Sequence, residues 1–410
     1  MTNFDVIIIG AGPSGAIAAT KLIKDGFSVL VLEKSVFPRF VIGESLLPQA
    51  MNYLEELDLL KVVEKKQFQV KTGASFFHND ALCNFEFSEQ YTKGYSYTYQ
   101  VKRAEFDHTL IEEAEKRGVQ VRYNCKVIAC FHKDDREQIR YIDADEEKEV
   151  SCRFVVDASG YGRVLPNLFN LSKEVDLLPR GAVFSHFTDT NKPKDASDNI
   201  FIHAFNNNNT AWVWSIPFSD ETASVGVVGE VDFIKKCAEN NGAYFLEIIK
   251  TFPLLKERFA NSETTRQIQS TMNYSKGVST LYGENFVLCG NATEFLDPIF
   301  SSGVTLAISS GYRAAELISR SLNGETVDWQ KDYEDEMLYG INVFKSYVKA
   351  WYNGDLQKIF FSKEINQTYK KQICSVLAGY VWDKSNPFVK KHNTILNTLA
   401  KVLSIQEQEN

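Results

Sequence analysis

The sequence is poor in the residues that would build a disulfide or metal framework. Seven cysteines are scattered over 410 residues without a C-x-x-C pair, and the six histidines have no metal-ligand spacing. An odd, unpatterned set of cysteines does not indicate a disulfide framework and favours a reducing, cytoplasmic location. We expect no metal, and we expect His186 and His203 to be ordinary sheet histidines with satisfied side chains.

Long apolar runs and blocks of positive charge are also missing. The net charge is −8 with no basic cluster, which argues against a nucleic-acid partner. No uncharged apolar run is long enough to cross a bilayer, so we expect no transmembrane segment. The apolar start, FDVIIIG, has no positive region before it and leads directly into a glycine motif, so we do not interpret it as a signal peptide.

The first fifty residues carry a strand, a glycine-rich turn, a helix and a second strand. The apolar run 6–9 is typical of a parallel strand buried on both faces. Gly10, Gly12 and Gly15 then form G-x-G-x-x-G, and Glu33 stands at the end of the second strand. In such a unit Gly10 permits a tight turn, Gly12 lets the backbone approach a pyrophosphate and Gly15 lets the helix pack closely. The sequence therefore predicts a dinucleotide site rather than a glycine turn without a ligand.

The acidic residue indicates which dinucleotide. The Glu33 carboxylate can accept hydrogen bonds from unphosphorylated ribose hydroxyls, which favours FAD or NAD over NADP. No second G-x-G-x-x-G occurs in the chain, so the sequence gives no recognisable separate nicotinamide site, and flavin reduction could fall to a partner enzyme.

The stretch AWVWSIPFS, at 211–219, holds two of the five tryptophans. In a strand, side chains alternate, so Trp212, Trp214 and Ile216 are predicted to share one face. From the residues alone, this face could be packed sheet interior or the wall of a site.

Four longer segments resemble one flavoprotein superfamily. They are FPRFVIGESLLP, QVKRAEFDHTLIEEA, FVVDASGYGR and YGENFVLCGNATEFLDPIFSSGVTLAISSG. Together they resemble the FAD-dependent oxidoreductases that include aromatic hydroxylases, geranylgeranyl reductases and flavin-dependent halogenases, from about residue 4 to 330. The resemblance implies FAD as cofactor and an α/β fold, α+β overall. This fold has a Rossmann-like FAD-binding domain, an inserted antiparallel β-sheet substrate domain and a C-terminal helical region.

The resemblance also implies a set of cofactor-binding residues. They are Gly10, Gly12, Ser14, Gly15, Glu33, Lys34, Arg39, Ser45, Arg103, Val127, Asp157, Asn291, Pro298, Gly303 and Val304. One position departs from the family, which has G-D where this chain has Gly290-Asn291. Asn291 keeps an acceptor oxygen for the ribityl chain but loses the charge.

Three short motifs resemble the halogenase branch. Trp212 and Trp214 fit W-x-W-x-I-P, which in that family walls substrate off from the flavin. Lys71 fits F-x-x-K-x-G-x-x-F, where the resemblance implies an active-site lysine that receives hypohalous acid. Ser302 and Gly303 fit F-x-x-P-x-x-S-x-G, where it implies a halide site. The alternatives are packed indoles, an ordinary surface lysine and a helix start that contacts only the flavin.

Tryptophan halogenases carry a glutamate two residues before the Ser-Gly pair, and this chain has Phe300 there. The chain therefore resembles the phenol or pyrrole type. The resemblance predicts an enzyme that uses reduced FAD, O2 and a halide ion to halogenate a small electron-rich aromatic, free or tethered to a carrier protein, with a separate flavin reductase. The alternatives are a monooxygenase, a geranylgeranyl-reductase-like enzyme of the same fold, and a flavin-binding protein without turnover.

The predicted organisation is discontinuous. We assign 1–75, 100–165 and 280–330 to the FAD-binding domain, 76–99 and 166–279 to the substrate domain, and 331–410 to the helical region. The charged run 134–149 is predicted to be a solvated hairpin, and 206–209 a turn. The many aromatic residues after 331 are predicted to pack over the substrate domain rather than to form a lid.

Overall fold

A computed structural model describes residues 3–192, 198–205, 210–273, 275–363 and 365–409, and the turn predicted at 206–209 lies outside them. In chain order, the strands of these residues are β1 (Asn3–Ile9), β2 (Val29–Leu32), β3 (Gln69–Lys71), β4 (Gly73–His78), β5 (Ala81–Glu86), β6 (Thr98–Gln100), β7 (Gln120–Arg122), β8 (Cys125–Lys133), β9 (Arg136–Asp143), β10 (Glu146–Asp157), β11 (Ser172–Lys173), β12 (Arg180–Thr188), β13 (Ile200–Ala204), β14 (Trp212–Pro217), β15 (Thr222–Glu230), β16 (Gln269–Met272), β17 (Gly277–Val278) and β18 (Phe286–Leu288). The helices are α1 (Pro13–Lys24), α2 (Gln49–Glu56), α3 (Leu60–Glu64), α4 (Arg103–Lys116), α5 (Val164–Leu168), α6 (Val231–Ala238), α7 (Ala243–Thr251), α8 (Pro253–Arg258), α9 (Ser302–Leu322), α10 (Glu336–Tyr352), α11 (Asp355–Phe361), α12 (Gln367–Leu377), α13 (Pro387–Lys390) and α14 (Ile395–Glu409).

The first sheet is built around β1. Its strands lie in the order β7-β2-β1-β10-β9-β8, and β18 pairs with the far end of β10. The pairs made by β1, the β2–β7 pair and the β10–β18 pair are parallel. The antiparallel pair β9–β10 is the hairpin predicted from the charged run.

Both faces of β1 are buried, as its continuous apolar run predicts. Val6 and Ile8 pack into a core with α1, α4 and α9, whereas Ile7 and Ile9 pack into a second core on the opposite face. Because strand side chains alternate, a strand covered on both sides has no position for a polar residue. The result is the Rossmann-like layer that the glycine motif predicts.

The second sheet has the order β16-β12-β15-β14-β13-β4-β5. The predicted antiparallel strands β13, β14 and β15 are neighbours in it. One pair differs from the predicted antiparallel pattern, because β13 runs parallel to β4. The predicted boundary between residues 75 and 76 falls inside β4. Two small antiparallel pairs, β3–β6 and β11–β17, complete the strands.

The second sheet is covered on both faces. One face, with Trp212, Trp214 and Ile216, packs in a core with the C-terminal helices, while Val213 packs on the other face against α6, α7 and α8. The alternation along β14 is therefore the one predicted from the sequence. The covering helices α6–α8 were not predicted, although buried apolar residues stand at helical spacing in two of them: Ile234 and Cys237 in α6, and Phe245, Ile248 and Ile249 in α7.

Most of the aromatic residues after 331 are buried, whereas Tyr369 is exposed. Phe344, Tyr347, Trp351 and Phe360 are buried in the core of the second sheet, as predicted. Tyr333 differs, because it packs in the core of the first sheet. Within the described residues, no helix has both the length and the apolar character that a membrane span requires.

The close approach of α1 and α9 provides a test of the packing. A Cβ atom at Gly311, in the middle of α9, would lie 2.3 Å from the carbonyl oxygen of Ser14 in α1. At an exposed helix position, replacing glycine by alanine stabilises a protein by up to about 1 kcal/mol. Here the clash with backbone reverses the sign, and we expect Gly311→Ala to lower the free energy of unfolding by about 1–3 kcal/mol. Urea unfolding measures it, and a stabilised variant would contradict the packing.

Candidate active site

A cavity of about 510 Å³ lies where the first sheet meets the second. Fifteen of the residues predicted for the site line it: Gly10, Gly12, Ser14, Glu33, Lys34, Arg39, Ser45, Arg103, Val127, Trp212, Trp214, Asn291, Pro298, Gly303 and Val304. Four predicted residues do not appear in its lining: Gly15, Lys71, Asp157 and Ser302. The fold thus brings residues from five separate parts of the chain to one site.

The glycine turn forms one end of the cavity. Gly10 has φ +100°, and a Cβ atom there would lie 2.6 Å from the carbonyl oxygen of Ala158. A Cβ atom at Gly15 would lie 2.0 Å from the carbonyl oxygen of Gly10, whereas one at Gly12 would meet only the Arg39 guanidinium, at 3.5 Å. Gly10 and Gly15 are therefore needed by the protein itself, and Gly12 keeps space at the start of α1.

The start of α1 fits an anionic ligand. Gly12 is its N-cap and Pro13 its first residue, and no side chain of the described residues caps its free N–H groups. In the same part of the chain, the buried Ser14 hydroxyl has no hydrogen-bond partner other than the thiol of Cys289. Free N–H groups, the positive end of the helix dipole and a hydroxyl with bonding capacity left are suited to a pyrophosphate. The residues present therefore fit the phosphates of FAD.

Glu33 is fixed beside this turn. Its carboxylate accepts the Ala11 N–H at 2.8 Å and the Ser35 N–H at 2.9 Å. Each carboxylate oxygen has two lone pairs, so Glu33 retains capacity for ribose hydroxyls. The backbone bonds hold the carboxylate at the cavity edge before any ligand arrives.

A buried carboxylate that the sequence analysis missed orients two cavity arginines. Asp107 is fully buried, accepts Arg39 at 2.9 Å and binds Arg103 in a bidentate pair at 2.7 and 2.9 Å. Arg103 also donates to the carbonyls of Ile42 and Gly43. Planar pairs of this kind fix a guanidinium in position. The F-D element quoted in the sequence analysis contains Asp107 and was the available signal.

Asp157 stabilises a loop of the cavity wall without lining the cavity itself. It is fully buried, and its carboxylate accepts the backbone N–H groups of Ser159 at 2.9 Å and Leu165 at 2.6 Å. These bonds hold the loop 158–162, every residue of which lines the cavity. Asp157 therefore orders a loop and does not face the ligand space.

The beginning of α9 forms the opposite side of the cavity. Ser301 is the N-cap with φ +56°, Ser302 is buried, and Gly303 and Val304 face the cavity. Of the two residues predicted to hold a halide, Gly303 is thus at the cavity surface, whereas Ser302 points into the protein. Asn291, the departure from the family motif, lines the cavity from a short 3-10 turn.

Trp212 and Trp214 line the cavity and are also packed. Trp212 is 1% exposed and Trp214 5%, and their ring centroids are 5.9 Å apart. The Trp214 indole N–H donates to Ser224 on the neighbouring strand at 3.1 Å. The two interpretations of this stretch are therefore both correct, because the face is sheet interior and cavity wall at once.

Lys71 is not a surface lysine. It is 1% exposed, and its ammonium group donates to Ser45 Oγ and to the Leu46 carbonyl, both at 2.9 Å. Ser45 lines the cavity, so one hydroxyl separates the Lys71 nitrogen from the cavity surface. Burial lowers the pKa of Lys71 to about 7. The surface alternative considered in the sequence analysis is therefore wrong.

A second acid at the cavity was also missed. Glu44 lines the cavity, and its Oε1 lies 2.8 Å from Nε2 of His186, while its Oε2 is buried and has no hydrogen-bond partner among the residues that the structure describes. The His186 ring packs edge-on against Phe40 and Phe218. The expectation of a satisfied sheet histidine is confirmed for His186. It is wrong for His203, which is buried with neither ring nitrogen hydrogen-bonded within the described residues.

A glycine turn before a helix, an acid at the end of β2 and a large cavity beside them are suited to a dinucleotide, and comparison with known proteins shows the class: an FAD-dependent oxidoreductase of the halogenase type. The family model described as tryptophan halogenase matches residues 5–90 and 78–377. The chain belongs to this family.

Individual relatives cover nearly the whole chain. The 1H-pyrrole-2-carbonyl-(peptidyl-carrier protein) chlorinase of Pseudomonas fluorescens is 28% identical, over 99% of this chain and 94% of the relative. The structure of the flavin-dependent brominase Bmp2 superposes with a TM-score of 0.84 at 28% identity, covering 99% of this chain and all of that one. A flavoprotein/dehydrogenase from Cytophaga hutchinsonii has 43% identity and a TM-score of 0.96, covering 99% of this chain and all of that one.

The two glycines of the first turn give a matched test of the cofactor site. We expect Gly12→Ala to fold with unchanged stability but to lower FAD affinity by at least about tenfold, because the new methyl group occupies space that the phosphates need. Gly15→Ala should lose both stability and affinity, because its methyl group clashes with backbone. Flavin absorbance titration and thermal unfolding measure the two effects. Equal behaviour of the two variants would contradict the assignment.

Lys71 should make stability depend on pH. The unfolded chain holds this proton up to a pKa of 10.5, but the folded chain loses it near pH 7. Between these values the unfolded state binds more protons, so stability rises with pH. We expect wild type to gain about 1.4 kcal/mol per pH unit relative to Lys71→Met between pH 7.5 and 10. Urea unfolding measures the difference. The same change at exposed Lys65 is the control, and parallel curves for Lys71→Met and wild type would contradict a buried neutral amine.

Proposed function

We propose that this protein is a flavin-dependent halogenase that uses reduced FAD, O2 and a halide to halogenate an electron-rich aromatic of the pyrrole type. The observation that carries the proposal is the buried amine of Lys71 behind Ser45 at the cavity edge. The curated pyrrole-2-carbonyl chlorinase and brominase act on a substrate attached to a peptidyl-carrier protein. We extend this to a carrier-tethered pyrrole or related acyl group as the substrate here.

The turns at the edge of the first sheet would hold the cofactor. Gly10, Gly12 and Ser14 would receive the pyrophosphate, Glu33 the ribose, and Asn291 the ribityl chain. FAD held there and reduced by a separate flavin reductase would supply, with O2, the two-electron oxidation that turns halide into hypohalous acid. The N-terminus of α9 at Gly303 holds the halide, since its free N–H groups favour an anion.

Lys71 receives the halogen. Because its pKa is about 7, a large share of the amine is neutral at neutral pH and has a free electron pair. The amine either donates a hydrogen bond to hypohalous acid or displaces its hydroxyl to form an N–halogen bond, with the release of water. The aromatic carbon then bonds to the halogen with an electron pair from the ring. The electrons of the broken N–halogen or O–halogen bond stay on nitrogen or oxygen. The ring proton leaves, and the amine is restored.

Trp212 and Trp214 keep the aromatic substrate away from the flavin. Rigid indoles with hydrogen-bonded N–H groups form a wall that a small oxidised halogen species can pass around but an aromatic ring cannot enter. We therefore place the substrate beside Ser45, where one hydroxyl separates the cavity from the Lys71 amine.

The nature of residue 300 bears on the substrate. Phe300 is 4% exposed and packs against Tyr347 and Trp351, so it offers no carboxylate to activate or deprotonate a ring. An aromatic activated by its own NH or hydroxyl needs no such group. This supports a pyrrole or phenol rather than tryptophan.

One observation favours a second candidate. The Cytophaga hutchinsonii protein, 43% identical, is described as a flavoprotein/dehydrogenase. A dehydrogenase or reductase would remove or add hydrogen without halide.

The seven unpaired cysteines support a reducing, cytoplasmic location for either activity.

The decisive assay supplies purified protein with FAD, a flavin reductase, O2, catalase and chloride or bromide. Monochlorodimedone or a pyrrole thioester traps oxidised halogen. We expect halogenated product from wild type and none from Lys71→Met, which still binds FAD and still reoxidises it. Lys65→Met, at an exposed lysine nearby, should keep wild-type activity.

Product from Lys71→Met at the wild-type rate would overturn the assigned role of the amine. Flavin turnover without any halogen transfer from wild type, with hydrogen transfer to or from an organic substrate instead, would favour the dehydrogenase. FAD bound tightly but resistant to reduction would indicate a flavin-binding protein without turnover.

A further inference from the structure

Tyr352, the last residue of α10, bridges two parts of the cavity. Its hydroxyl lies 3.0 Å from the indole nitrogen of Trp212 and 2.8 Å from Oδ2 of Asp297. Its ring lies under the guanidinium of Arg180, 3.5 Å from the ring centroid. Arg180 and Asp297 are each 4% exposed, so Tyr352 lies between a buried guanidinium and a buried carboxyl group.

The directions of the two hydrogen bonds are fixed by chemistry. An indole nitrogen only donates, and an ionised carboxylate only accepts. The phenol therefore accepts from Trp212 and donates to Asp297, and it cannot do both once deprotonated. Burial raises the pKa of Tyr352 well above its ordinary value, so the phenol stays neutral. The two hydrogen bonds, from Trp212 to Tyr352 and from Tyr352 to Asp297, therefore run in one direction.

Both ends of this chain shape the cavity. Trp212 lines it from the second sheet. Asp297 accepts the Ile299 N–H at 3.2 Å and directly precedes Pro298, which lines the cavity at the segment that leads into α9. One phenol thus joins the indole wall to the loop at which we place the halide.

The two tryptophans differ in what orients them. Trp214 donates to Ser224 on the adjacent strand, so the sheet itself sets its ring. Trp212 donates to a residue outside the sheet. The orientation of Trp212 therefore depends on the C-terminal helices, to which the mechanism above gives no role.

We propose that Tyr352 is a positioning residue that holds the Trp212 indole and the Asp297 loop in register, and so couples flavin oxidation to halogen transfer. The coupling rests on the proposed function, whereas the structural part, the positioning of Trp212 by Tyr352, does not. Without the phenol, the wall and the halide loop move independently, and oxidised halogen or peroxide escapes to water.

The structural part is tested on FAD-free protein labelled with 5-fluorotryptophan. We expect the five tryptophans to give separate fluorine resonances, of which Trp212→Phe and Trp214→Phe assign the two of interest. We expect Tyr352→Phe to shift or broaden the Trp212 resonance and to leave the Trp214 resonance in place. The control is Tyr339→Phe on the same helix, whose phenol donates to the Val389 carbonyl. An unchanged Trp212 resonance in Tyr352→Phe would overturn the inference, whatever the protein catalyses.

The coupling is tested by the ratio of halogenated product to hydrogen peroxide per reduced flavin consumed. We expect Tyr352→Phe to lower this ratio about fivefold, the factor that corresponds to one lost hydrogen bond. FAD affinity and the rate of flavin oxidation should stay within about twofold of wild type. A purely structural role would lower all rates together and leave the ratio unchanged, and that result would overturn the inference.

A double variant separates the two ends of the bridge. If Tyr352 acts through the indole, Trp212→Phe and Tyr352→Phe should be non-additive, and the double variant should be no less coupled than Trp212→Phe alone. Additive losses would contradict the route through Trp212. If wild type makes no halogenated product at all, the proposed function fails, while the fluorine experiment still decides whether Tyr352 positions Trp212.

Discussion

The alternation of side chains along β14 is the constraint on which the site depends. Trp212, Trp214 and Ile216 must face the cavity if Val213 is to face the helices behind the sheet. A shift of one residue would place two indoles against α6–α8 and open the cavity wall. Three other parts of the protein pack in one core with this face: the segment after Ser45, the start of α9, and the C-terminal helices. The two tryptophans are thus core residues of the second sheet, and one edge of each indole also forms part of the cavity wall.

The local patterns were predictable from sequence because each depends on neighbours in the chain. The run 6–9, the glycine turn and Glu33 lie within about thirty residues, and each has one physical task. The position of Trp212 followed from a period of two. The contacts that tune the site were not predictable in this way. Asp107 meets Arg39 across 68 residues of sequence, Glu44 meets His186 across 142, and Tyr352 meets Trp212 across 140.

Burial was the quantity that sequence reasoning predicted least well. Lys71 is the same residue type as the exposed Lys65 and Lys66, which precede it by only a few positions. Its environment is set by Ser45 and Leu46, which arrive from another loop, and by Thr98, which faces it across the β3–β6 pair. The helices α6–α8 were missed for the opposite reason. Their apolar positions have a clear helical period. However, the segment before them consists of antiparallel strands, and the whole region was therefore interpreted as sheet.

The discontinuous first sheet has a consequence for the order in which the protein can be made. β1 is synthesised first, yet its parallel neighbour β10 ends at residue 157, and β18, which completes that side, ends at residue 288. α9, which packs on α1 and carries Gly303, follows later still. At about 5–20 residues per second, a ribosome takes roughly 15–60 seconds to pass from the glycine turn to α9. For that time α1 lacks α9, although α4 has already been made, so the dinucleotide site closes only after α9 has emerged. Cofactor capture in this architecture is a late event in the life of the new chain.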